Sequence, residues 1–263
     1  MMKKYTFKEK IEYYSNKYHN TFSIASSMNG CYIKEIIKPK VLIVGTLTPE
    51  SNKGYYYTAL NKKKNGSRSK YNIYNYINNA NIGINICISD IENLETIDKE
   101  SNKKENLESR IKALPQKNKE VIEEIRTSLN EKGIYFFDVI KYAIRKEHGN
   151  ASDSNLRYYE LDNESFNKID LSDCVIIANS KMALENLNIL LNNNPHSEFK
   201  GEIACVPQMA RSYSRKRNKD LSNYCIFMAW KNMINYALYR KLENEVFNKY
   251  ILHYTDKMCW PYK

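Results

Sequence analysis

The sequence predicts an α/β fold built on parallel crossovers. Short apolar runs bounded by Gly, Asp, Asn or Pro recur along the chain, and each reads as a strand. Helix-length segments with apolar residues at helical spacing separate some of them. Each run also empties at its C-terminal end into a polar cluster. In parallel α/β sheets a ligand sits beyond the carboxyl ends of the strands.

In chain order, residues 5–18 place Tyr5, Ile11, Tyr14 and Tyr18 at spacings a helix can use. Val41 to Val44 is a continuous apolar run, the pattern of a strand buried on both faces. It leads straight into Gly45, Thr46, Thr48, Pro49, Glu50 and Ser51. Residues 61–81 are polar and rich in Lys, Asn and Tyr, and read as a loop followed by a helix or an irregular segment. "INICISDI" at 84–91 is a further strand candidate. Residues 92–118 are highly charged and read as an exposed insertion. Residues 118–131 predict a helix, and Gly133 supplies its stop. Three more strands follow: "GIYFFDVI" at 133–140, "DCVIIANS" at 173–180 and "GEIACVP" at 201–207. Helices are expected over 181–192, which carries Met182, Leu184, Leu187, Leu190 and Leu191, and over 221–242. There is no internal repeat.

A chain of 263 residues suits a single domain that buries on the order of 75% of its unfolded surface. The formal charge of +11 favours an anionic partner. Heavy use of Asn, Lys, Ile and Tyr also fits an AT-rich genome, so clustering of charge carries more information than its total. The six cysteines (Cys31, Cys87, Cys174, Cys205, Cys225, Cys259) are scattered, without C-x-x-C or zinc spacing. No metal and no cofactor are expected, and a reducing cytoplasm fits. The N-terminal residues lack the apolar core of a signal peptide. No apolar run reaches the roughly 18–20 residues a membrane span needs. The expectation is a soluble, cytoplasmic monomer with no membrane partner.

Several chemistries are excluded. There is no P-loop, no G-x-G-x-x-G and no G-x-S-x-G elbow. His19, His148, His196 and His253 do not cluster; only His148 falls in a strand-end loop, where a lone His is usually solvated. What remains are four strand-end clusters: "GTLTPES", Asp138 followed by "RKEHGNASDSN", Asn179-Ser180-Lys181, and Pro207-Gln208 followed by "ARSYSRKRNK". The topology rule predicts that Thr48, Asp138, Asn179 and Gln208 surround one cleft. Arg211, Arg215, Lys216, Arg217 and Lys219, with Ser212, Ser214 and Tyr213 among them, suit phosphate contacts and base stacking. "GYYYTALN" at 54–61 offers three tyrosines, one to pack inward and another, with Tyr57 as candidate, to lie against a base. Asn61 can hold a water or a sugar hydroxyl. Asn179 has the donors and acceptor to read a base edge, or equally to tie down a loop.

These residues resemble the uracil-DNA glycosylase superfamily, and within it the hypoxanthine and mismatch-specific branch. "VLIVGTLTPES…GYYY…N" is similar to the motif in which a strand ends in Gly-Thr-x-x-Pro, followed by paired tyrosines and an Asn. "GIYFFDVIKYAIR…SDSNL" is similar to a segment with Asp-Val, an Arg and a Ser/Asp-rich turn, here Asp138-Val139, Arg145 and Asp153-Ser154. "VIIAN" is similar to the strand ending in Asn, and "VPQMARSYS" falls where the family has its second, Pro-Ser-rich motif. The likeness covers roughly residues 38–61, 133–156 and 173–240. The chain departs from the pattern at Lys62-Lys63-Lys64, where an aromatic pair is usual, and at Gln208, where a Ser is usual.

The resemblance implies a single three-layer α/β/α domain over 1–263, with a short, mainly parallel central sheet of about four strands and a charged insertion at about 62–132. It implies hydrolysis of an N-glycosidic bond in DNA after a damaged, deaminated or modified base is flipped out. Glu50 or Asn61 would orient the water. Asp153 would serve as the carboxylate or cap its turn. Gly45, Thr46, Thr48, Tyr57 and Asn179 would hold the base; Arg211, Ser212, Ser214, Arg215 and Arg217 would hold phosphates. The alternative is a glycosylase-like fold that binds modified or foreign nucleic acid without turnover, which the Lys run and the altered second motif favour. A third reading, an enzyme acting on free nucleosides or nucleotides, needs fewer cations than this chain carries.

Overall fold

The computed structural model describes residues 6–18, 23–27, 29–47, 126–147, 153–193, 199–206, 223–240 and 251–253. In chain order the elements are α1 (Phe7–Tyr18), β1 (Ser23–Ser26), α2 (Asn29–Tyr32), β2 (Val41–Gly45), β3 (Ile134–Asp138), β4 (Ile140–Arg145), β5 (Leu156–Leu161), α3 (Asn163–Phe166), β6 (Val175–Ala178), α4 (Lys181–Asn193), β7 (Glu202–Cys205), α5 (Asn223–Tyr239) and β8 (Ile251–His253). A 3₁₀ turn, Asp153–Asn155, leads into β5.

The larger sheet has the order β3-β2-β6-β7-β8. Its first four strands are parallel, and β8 closes one edge antiparallel to β7. Val41, Leu42, Ile43 and Val44 are fully buried, as a parallel strand covered on both faces requires. Side chains alternate across the sheet. Leu42, Val44, Ile176, Ala178, Ile203 and Cys205 share one core with Ala183, Leu184, Leu187, Leu190 and Leu191 of α4. Each such leucine contributes about 1.5–3 kcal/mol relative to exposure. α5 also lies against β2 and β6, and it buries Trp230, Met233, Ile234 and Ala237. The protein is thus α/β, with a mainly parallel central sheet of the predicted kind.

A second sheet was not anticipated. It is antiparallel, three-stranded, and ordered β1-β4-β5. Its Ala25, Ala143 and Leu156 belong to the same core as β2. Two expectations are corrected by it. The apolar run 133–140 is not one strand but two, divided at Val139. There the Val139 N–H donates to Gly45 O at 3.0 Å and the Ile140 N–H to Thr46 O at 3.1 Å, and the chain passes from one sheet into the other. The run stays apolar because it is buried on either side of the switch. The polar cluster expected from Arg145 onward also begins inside a strand rather than after one: Ile140–Arg145 pairs with both β1 and β5, and Arg145 is buried at its end.

Other expectations match. Helix α1 lies within 5–18, α4 covers 181–192, and α5 lies within 221–242. Residues 126–131 are helical and Gly133 adopts φ +77°, the left-handed stop that glycine allows. Its N–H donates to Asn130 O at 2.8 Å, and its own C=O accepts from the Lys40 and Val41 N–H groups. Cys174 and Cys205 are buried thiols, and burial pushes Cys205 up to about 12. The strand candidate at 84–91, the insertion at 62–132 apart from its helical end, and residues 48–61 and 207–222 lie outside the described residues. Among the described residues no helix is long and apolar enough to cross a membrane.

Candidate functional site

Strand order sets where a site can form. From β2 the chain moves outward to β3 on one side, and later returns to β6 and β7 on the other. The strand order therefore reverses direction between β2 and β6, and the carboxyl end of that pair is the topological switch point. The carboxyl ends lie level: Gly45 is in register with Asp138, Val44 with Ala178, and Ala178 with Cys205. The ladder extends one residue further, since the Asn179 N–H donates to Val44 O at 3.1 Å and the Val206 N–H to Ala178 O at 3.0 Å.

At that point three side chains from separate parts of the chain meet. The Thr46 hydroxyl donates to Asp153 Oδ2 at 3.1 Å, and Thr46 Oγ1 also lies 2.9 Å from Ser180 Oγ. Ser180 in turn accepts from the Ala183 N–H at 3.0 Å, the side-chain bond that caps a helix start, here that of α4. Thr46 and Ser180 are buried and Asp153 is half-buried. Burial pushes the Asp153 carboxyl above the usual carboxylate range; the Thr46 hydrogen bond and the positive charge of Arg145 act in the opposite direction.

Arg145 is only 1% exposed, so its guanidinium acts through a poorly solvated medium, where charge interactions are strengthened. Asn155 holds the turn that presents Asp153. Its Oδ1 accepts from the Glu147 N–H at 2.9 Å, its Nδ2 donates to Glu147 O at 2.8 Å, and its C=O accepts from the Lys146 N–H. The hairpin from β4 to β5 is therefore pinned beside Asp153.

The end of β3 is fixed from another direction. Asn29, at the start of α2, accepts from the Asp138 N–H at 3.0 Å and donates to Asp138 O at 2.6 Å. The same amide donates to Asp162 Oδ2 at 2.9 Å, while Asp162 Oδ1 accepts from the Ser165 N–H and caps α3. Asp138 and Asp162 are both buried.

The structure thus places Gly45, Thr46, Asp153 and Asn179 at one edge of the sheet, with Thr46 and Asp153 in direct contact. Asp138 ends its strand beside Gly45. Glu50, Asn61, Thr48, Tyr57, Gln208, Arg211, Ser212, Ser214, Arg215 and Arg217 lie outside the described residues. Ser180, Asn29 and Asp162 were not singled out as site residues from sequence, and Arg145 entered only through a motif. Ser180 carried a usable signal, a Ser between a strand and an apolar-periodic helix. Asn29 carried none, because an Asn before Gly reads as a turn. Among the described residues no group of His, Cys, Asp and Glu is arranged to hold a metal ion. In comparisons with family models, curated proteins and solved structures, nothing matches this chain.

Proposed function

We propose that this protein is a DNA glycosylase, a three-layer α/β/α enzyme that flips a damaged, deaminated or modified base and hydrolyses its N-glycosidic bond. The observation that carries the reading is the Thr46–Asp153 contact at the switch point between β2 and β6. The motif resemblance reached Thr46 and Asp153 separately, and they meet where an α/β sheet binds its ligand.

Cleavage of the glycosidic bond leaves positive charge on the sugar and negative charge on the base. A carboxylate beside the sugar stabilises the first, and fixed hydrogen-bond donors stabilise the second. Asp153 supplies the carboxylate. Arg145 and the Thr46 hydroxyl favour its ionised form against the effect of burial. Asn179 reads the base edge, with the amides of Gly45 to Thr48 and the ring of Tyr57 completing the base pocket. Glu50 or Asn61 orients the attacking water. Arg211, Ser212, Ser214, Arg215 and Arg217 hold the DNA phosphates, and unstacking the base costs a few kcal/mol that stacking and edge contacts offset.

The test is incubation with duplex and single-stranded DNAs carrying uracil, hypoxanthine and other modified bases, with mass detection of the freed base. Asp153→Asn should slow single-turnover release on the order of 10²–10⁴-fold while leaving DNA affinity nearly unchanged. Binding of modified DNA without release of any base would instead establish the second reading, nucleic-acid recognition without turnover. Lys62-Lys63-Lys64 and Gln208 are the residues that favour it.

A further inference from the structure

The bonds around Asp153 have a direction. Thr46 owns one hydroxyl proton, and it is directed at Asp153 Oδ2. An ionised carboxylate only accepts. The 2.9 Å contact between Thr46 and Ser180 must then be made by the Ser180 proton. Ser180 has no second proton, and it accepts from the Ala183 N–H at 3.0 Å. The chain therefore runs one way, from the Ala183 amide in the first turn of α4 through Ser180 and Thr46 to the carboxylate. Each member polarises the next. Were Asp153 protonated, its own proton could turn toward Thr46 and the Thr46 proton toward Ser180, so the polarity of the chain reports the state of the carboxyl.

We infer that Thr46 and Ser180 are positioning residues, which hold Asp153 in one orientation and keep it a hydrogen-bond acceptor by tying it to the amino end of α4. This rests on the reading of Asp153 as the glycosylase carboxylate. Among the described residues, the elements around Asp153 supply different groups: β4 brings the charge of Arg145, Thr46 after β2 brings a hydroxyl on Asp153, and Ser180 after β6 brings a hydroxyl on Thr46. A hydroxyl at position 46 is thus the adjustable part of the arrangement. It also gives Thr46 a role different from the base contact that the resemblance implies, because its hydroxyl is engaged with Asp153 and Ser180.

The experiment is a carbon-13 NMR titration of the Asp153 carboxyl in the wild type, Thr46→Ser, Thr46→Val and Ser180→Ala, run beside the pH profile of single-turnover base release. Thr46→Val should move the Asp153 titration to higher pH by about one unit, the equivalent of losing one hydrogen bond to a charged group. Thr46→Ser should leave it in place. Ser180→Ala should move it the same way by less. The low-pH limb of base release should follow the titration in each variant, with Thr46→Ser restoring the wild-type profile. Identical Asp153 titrations in the wild type and Thr46→Val would overturn the inference, as would a Thr46→Ser protein that behaves like Thr46→Val. If the wild type releases no base, the glycosylase reading fails, and the titration alone still decides whether Thr46 and Ser180 position Asp153.

Discussion

Asn29→Ala should be among the most damaging single substitutions among the described residues, although Asn29 touches no residue proposed to contact DNA. The amide is 1% exposed and makes three bonds: 2.6 Å to Asp138 O, 3.0 Å from the Asp138 N–H, and 2.9 Å to Asp162 Oδ2. Truncation removes all three at once. The bond to a carboxylate is worth about 1.5–3 kcal/mol, and each backbone group left buried without it costs about 1–3 kcal/mol. Such terms are not additive, and water entering the vacated space recovers part of them. The expected loss is about 3–5 kcal/mol, a large share of the roughly 5–15 kcal/mol that holds a folded domain.

Urea unfolding followed by circular dichroism measures that loss. Hydrogen exchange at the Asp138 amide, compared with amides of β6, shows whether the end of β3 opens first. Asn29→Asp serves as the control. It keeps the size but faces Asp162 with a second carboxylate, so it should cost more at neutral pH and recover as pH falls and one carboxyl takes up a proton. A loss under 1 kcal/mol in Asn29→Ala, or an Asn29→Asp protein as stable as the wild type at pH 7, would refute the view that this amide anchors β3.

Gly133→Ala forces a side chain into φ +77° and brings its Cβ within 2.9 Å of Lys40 Cγ; the flexible lysine can move, so the backbone term should dominate at about 1–2 kcal/mol, read from urea midpoints. Neutralising Arg211, Arg215 and Arg217 together should weaken DNA binding alike on all sequences and reduce the slope of log affinity against log salt by about 3, measured by salt-titrated anisotropy. Burial raises the Asp153 carboxyl, so the native state holds its proton to higher pH than the unfolded chain and loses stability as pH rises through that titration. Asp153→Asn should abolish this slope and leave the variant more stable than wild type at neutral pH; equal or lower stability there, by urea unfolding across pH, would contradict it.

Much of the larger sheet was legible in the sequence because its strands are buried on both faces. "VLIV", "VIIA" and "IACV" at 203–206 are uninterrupted apolar runs, and the leucines of α4 repeat at helical spacing. The second sheet lacked those signals. β1 is "SIAS", too short and polar to stand out, and β5 is an edge strand whose four central residues, Arg157 to Glu160, are all exposed. Nothing in "FFDVI" marks the passage between sheets, because both sides of Val139 are buried. The candidate site divides the same way. Thr46 and Asn179 follow from strand ends, and Asp153 from a motif, but Thr46 and Asp153 are 107 residues apart. Asn29 meets Asp138 and Asp162 across 109 and 133 residues. Contacts of that range depend on strand order, which local pattern does not encode.

Energetics and topology point to the same edge for unrelated reasons. A half-buried carboxyl whose ionised form is disfavoured by its surroundings lowers the stability of the fold at neutral pH. Stability alone would favour an amide there, which could still accept the Thr46 proton without carrying charge. The Thr46 hydroxyl and Arg145 oppose the effect of burial but do not cancel it, since the net shift is upward. A group kept against its own stability cost is the pattern of a functional site, where pKa perturbation clusters. Strand order alone selects that edge as well, because it reverses direction between β2 and β6. Thr46 belongs to both lines: it follows the strand that defines the switch point, and it donates the hydrogen bond that holds the carboxylate. Asp153 is therefore the residue at which a search for chemistry in this protein should begin.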